Sequence, residues 1–231
     1  MVATLGVMNH APFPSKVSVI WALVAGASGG AALAFFYRAL SMGQMGLVAP
    51  VAAVLSAAIP VVFSAIIEGA PQSVQIAGFV SAGFGIWLIS RSEGGSSPEG
   101  IGIAMLAGVG FAGFYLGMRQ AGQGSATWLA VASRTGAFVL TGLIILIGKI
   151  PRTMNWRSAG LGAIAGCVDV SGTVLFVRAS QAGRLDTSVV LVSLYPVVTV
   201  MLAWLILKEH FTRWKLIGML AALAAVPLIA T

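Results

Sequence analysis

From residue 17 to its end the chain alternates long apolar runs with short breaks rich in glycine, proline and polar residues. A bilayer core takes about 20 apolar residues as helix, and runs of that length fall at 17–41, 46–67, 72–90, 100–119, 126–148, 158–181, 186–207 and 213–231. The breaks carry turn chemistry: Ser41-Met42-Gly43-Gln44, Glu68-Gly69-Ala70-Pro71, Gln120 to Ser125, and Lys149 to Arg157. The longest, Arg91 to Gly100, reads RSEGGSSPEG, a flexible linker. Backbone groups cannot go unpaired in lipid, so segments this long and apolar are expected as helices. The pattern predicts an all-α, polytopic membrane bundle of about eight transmembrane helices. Glycines spaced GxxxG at Gly26/Gly30, Gly113/Gly117 and Gly162/Gly166 are expected to let helices approach closely.

Composition agrees with lipid as the solvent. Of 231 residues, 58% are hydrophobic and 8% charged, and the mean hydropathy is +0.99. A soluble domain carries roughly a quarter charged residues. The single cysteine, Cys167, excludes a disulfide framework or a thiolate cluster. His10 and His210 both fall in polar segments, and no Cys/His cluster or HExxH offers a metal site. The net charge of +7 comes from Lys and Arg scattered at helix ends. Anionic lipid headgroups, not nucleic acid, are therefore the expected partners of that charge. The first sixteen residues lack a basic n-region and a small-residue cleavage site, which argues against a removable signal peptide. There is no GxxxxGK[ST] loop to couple ATP, and no cofactor is expected.

The chain also matches itself at a shift of 140 residues. Ala25, Gly26, Phe36, Arg38, Ala39 and Gly43 align with Ala165, Gly166, Phe176, Arg178, Ala179 and Gly183. Ile66, Gly78, Ala82, Leu88 and Ile89 align with Ile206, Gly218, Ala222, Leu228 and Ile229. This sets spans 1–3 against spans 6–8. A displacement by five crossings, an odd number, makes the two copies run through the membrane in opposite senses. Inverted repeats of this kind build many secondary transporters. The organisation read from the sequence is a tail (1–16), a first repeat of three helices (17–91), a linker (92–99) and a second repeat of five helices (100–231). Spans 4 and 5 have no counterpart in the first copy. The expectation is a five-plus-five transporter whose first two helices are missing here.

Several short motifs resemble the drug/metabolite transporter superfamily, in particular the EamA-type transporters. They are Asp169-Val-Ser-Gly172, Ala179-Ser-Gln-Ala-Gly183, Ser193-Leu-Tyr-Pro196, Thr199, Leu202, Ala203, Lys208-Glu209 and Leu216-Ile-Gly218. A weaker copy runs through Arg38-Ala-Leu, Val48-Ala-Pro50, Glu68 and Gly78. The resemblance implies ten helices, a central pocket between the repeats, and export or exchange of small organic metabolites.

Ionisable groups inside a membrane are costly and usually functional. Asp169 lies at the middle of span 6 and Arg134 lies inside span 5. Counted from their shared loop, their depths differ by only ~5 Å at about 1.5 Å rise per residue. They are expected to pair, either to bind a polar solute near midplane or to fix the two helices structurally. In span 7, Ser193 and Tyr195 are further candidates for contact with solute, and Pro196 is a candidate kink. Pro50 and Pro60 mark the corresponding element, span 2, for a gating role or a kink that merely fits the bundle. Ser171 and Thr173 are expected to bond back to their own helix. Glu68 and Glu209 are expected to pair with Lys or Arg at the interface, and the six tryptophans to lie mostly near span ends.

The function that fits is a secondary transporter of small organic metabolites or drug-like solutes in the cell membrane, and no enzyme. An intramembrane enzyme, or a channel or scaffold, is the alternative. A second copy of the chain stays open as a partner. Eight Lys and Arg on the side opposite the termini, against four on the termini side, place both termini outside. The resemblance implies the reverse.

Overall fold

The computed structural model describes residues 12–42, 45–67, 69–90, 98–122, 124–148, 155–192 and 213–229. These residues form eight helices: α1 (Lys16–Ser41), α2 (Met45–Ile67), α3 (Ser73–Ser90), α4 (Pro98–Gln120), α5 (Ala126–Ile147), α6 (Trp156–Ala182), α7 (Leu185–Val192) and α8 (Arg213–Ile229). Each begins within two residues of the apolar run that predicts it. By length and composition, Lys16–Ser41, Gly102–Gln120, Ala126–Ile147 and Ala159–Ala182 are fit to cross a membrane; Val51–Ile67 and Ser73–Gly85 are shorter apolar helices.

Local chemistry sets the starts. The Ser15 hydroxyl accepts the Ser18 N–H at 3.1 Å, capping α1. The Gln72 N–H donates to Gln75 Oε1 at 3.1 Å, half of a capping box at the head of α3. Pro98 opens α4, where a missing N–H costs nothing.

The chain divides into two compact units. The first takes residues 1–31 and 113–183, the second residues 32–112 and 184–231. In the first unit α1 packs through glycines. A Cβ on Gly26 would meet the Ser133 backbone of α5, and one on Gly136 would meet the Leu23 backbone of α1. On the α4 side, Cβ atoms on Gly113 and Gly117 would press on Ser28 and Ala25. Two of the three GxxxG pairs therefore do what their spacing predicts. Gly162 and Gly166 on α6 differ, with open space where a Cβ would stand. Among the described residues no backbone lies against that face, so its small residues bring none of them closer.

In the second unit, Ala39, Val48 and Ala104 form a buried cluster with Phe36, Val51 and Ile103 around it. There α2 packs on α7 and α3 packs on α8. These are the pairs that the repeat relates. Lys16, Met45 and Ser73 start α1, α2 and α3, and Trp156, Leu185 and Arg213 start α6, α7 and α8 in the same register. Ser81, midway along α3, donates to the carbonyl of Ala221, midway along α8, at 2.9 Å, and the two residues are 140 apart.

Candidate functional site

The site lies in the first unit, where α5 packs on α6. Arg134 sits one turn inside α5 from the buried Ala130, and Asp169 lies at the centre of α6. Arg134 Nη1 is 2.7 Å from Asp169 Oδ2. Its other terminal nitrogen, Nη2, donates to Thr173 Oγ1. Thr173 Oγ1 in turn donates to the Asp169 carbonyl at 3.1 Å, the back-bond expected of a threonine in a helix. Ser171 bonds back in the same way, to the Cys167 carbonyl at 2.9 Å.

The guanidinium is thus gripped at two corners from one face of α6. Its third donor differs: Arg134 Nε is buried and has no hydrogen-bond partner among the described residues. A buried unpaired donor costs roughly 1–3 kcal/mol, more where the group is charged. The Asp169 side chain is 55% exposed and that of Arg134 is 29% exposed. The pair is therefore open on one side and satisfied on the other. Beyond it, about two turns past Asp169 along α6, Phe176 meets Tyr115 of α4 at 5.0 Å between ring centroids, with Phe114 behind.

Past these rings, the end of α6 holds the α4–α5 loop. Gln181 Nε2 donates to the carbonyls of Gly122 and Gly124 at 3.0 and 3.1 Å. Gly122 has φ +73°, a left-handed conformation that favours glycine.

The structure brings Arg134 and Asp169 together and adds Thr173. The sequence reading gave Thr173 only its back-bond, because a hydroxyl's second role is invisible without its neighbour. Pro60 is buried inside α2, and Pro50 belongs to the same unbroken helix. Ser193, Tyr195 and Pro196 lie outside the described residues, as do Glu68 and Glu209. A second charged pair was missed: Arg184 and Asp186, 3.0 Å apart at the start of α7. Its signal was an Arg-x-Asp step directly after a glycine that ends a helix, with an acidic residue in the next first turn.

Apolar helices with large exposed side chains along them, such as Ile66, Val80, Phe138, Leu161, Ile164 and Val168, define a polytopic helical membrane protein. Residues 98–231 match the model of the EamA-like transporter family, and the chain belongs to that family. Among solved structures it is similar to one given as "Crystal structure of protein", with a TM-score of 0.68 and 16% identity over 99% of this chain and 94% of that one. No curated protein matches it.

Proposed function

We propose that the chain is a secondary transporter of small polar organic solutes in the cell membrane, with Arg134, Asp169 and Thr173 as the groups that meet the solute. The observation that carries this reading is the buried Arg134 Nε, without a hydrogen-bond partner among the described residues, beside a half-exposed carboxylate. A purely structural ion pair has no reason to leave a donor unsatisfied. A donor kept free next to an open acid suits a ligand that brings an acceptor oxygen.

The inverted-repeat reading is supported by the pairing of α3 with α8. Helices related by a two-fold axis meet at equivalent positions, and Ser81 and Ala221 are equivalent at the repeat's shift of 140 residues. With five crossings between the copies, the repeats oppose each other in the membrane, the arrangement used for alternating access.

The test is metabolite profiling of the medium around cells that make the wild-type chain, Asp169→Asn, or no protein. The expected result is one or a few small organic solutes released only with the wild-type chain. Equal release by an Asp169→Asn variant present at normal levels in the membrane would remove Asp169 from the mechanism.

A further inference from the structure

The start of α7 carries a charged pair that the Arg134 site does not use. Asp186 is fully buried, and a carboxylate withdrawn from water needs a counter-charge and hydrogen bonds. Arg184 supplies a two-pronged grip, with Nη2 3.0 Å from Oδ2 and Nε 3.2 Å from Oδ1. The Thr187 N–H adds a bond to Oδ1 at 2.7 Å. All these partners lie within two residues of Asp186, so the neutralised carboxylate travels with α7.

Arg184 also reaches outward. Its Nη2 donates to the carbonyl of Gly69 at 2.9 Å. Gly69 belongs to the short link between α2 and α3, is exposed, and has φ +89°, again in the left-handed region. The contact ties the head of α7 to the link between α2 and α3, whose helices pack on α7 and α8 respectively.

We propose that Arg184, anchored by Asp186, is a releasable strap that holds the α2–α3 link against the head of α7 and lets go as these helix pairs shift during transport. The two ends of the strap differ in strength. Parting Arg184 from Asp186 would strand a buried charge. Parting it from Gly69 gives up a hydrogen bond to an exposed carbonyl, which water replaces. The strap therefore opens at the Gly69 end while the acid stays paired. This rests on the transport reading above.

The test starts from Cys167→Ser, which removes the lone thiol. Ala70→Cys and Arg184→Cys place thiols at the two ends of the strap, and Asp186→Asn removes the charge that loss of the arginine would strand. Cells making this variant are treated with a short bis-methanethiosulfonate, which forms a disulfide with each cysteine as methanesulfinate leaves and can be removed by reduction. Bridging is read by intact mass, and solute release by mass spectrometry of the medium. Release is expected to fall to the level of cells without the protein when the bridge forms, and to return on reduction. Unchanged release through a fully bridged protein overturns the strap and leaves transport standing. Release by the Cys167→Ser parent but not by the folded, unbridged variant also overturns it, since the arginine would then be needed throughout. If the parent releases no solute, the transport reading falls and takes the strap with it.

Discussion

Arg134 is held by geometry that only a guanidinium offers. One terminal nitrogen meets Asp169 and the other Thr173, and both partners project from the same helix. A lysine would keep the charge but is a point donor without the planar fork. Arg134→Lys should therefore insert and unfold like wild type yet lose transport by about tenfold or more, in keeping with roughly 1.5–3 kcal/mol for a hydrogen bond to a charged group. Thr173→Val keeps the shape and removes one corner of the grip, so a smaller loss is expected. Solute release and thermal unfolding in detergent, measured on the same preparations, check both. Transport unchanged in Arg134→Lys would take the fork out of the mechanism. The Arg134–Asp169 pair was legible because depth can be counted from a shared loop. The buried Asp186 was not, because nothing in the sequence says that the head of α7 turns inward and that the link holding Gly69 lies against it.

At the scale of elements, helix positions were read closely because length and hydropathy dictate them: a run that spans a bilayer has little freedom in where it starts. Packing was less legible. Three glycine pairs share one spacing, yet Gly26 and its neighbours on α4 and α5 touch backbone or side chain while Gly162 and Gly166 face open space. Spacing shows which glycines can pack; a partner decides which do. Gly26→Ala and Gly136→Ala should each destabilise the fold by about 1–3 kcal/mol or more, since the new methyl falls on backbone that cannot yield cheaply. Gly162→Ala and Gly166→Ala should leave stability unchanged or slightly raised, because alanine is the better helix former. Denaturant or thermal unfolding of the four variants in one detergent checks the contrast. Equal losses in all four would show that α6 has close neighbours on that face.

For the whole molecule, the repeat of 140 residues links the sequence to the way the chain would work. The proposed inverted repeat rests on matched residues such as Arg38 and Arg178, on helix starts in the same register, and on the bond from Ser81 to Ala221 at the middle of α3 and α8. An inverted repeat makes two half-structures that can exchange roles, and an exchange of roles is what alternating access requires. A channel has no such need, and an enzyme would change what it binds. The most direct measurement is counterflow in proteoliposomes without ATP, using a solute that the cells release. Uptake of labelled solute is expected to saturate and to accelerate when the same solute, unlabelled, is loaded inside. Uptake that rises linearly with concentration and ignores the solute inside, or recovery of a chemically altered solute, would contradict the account.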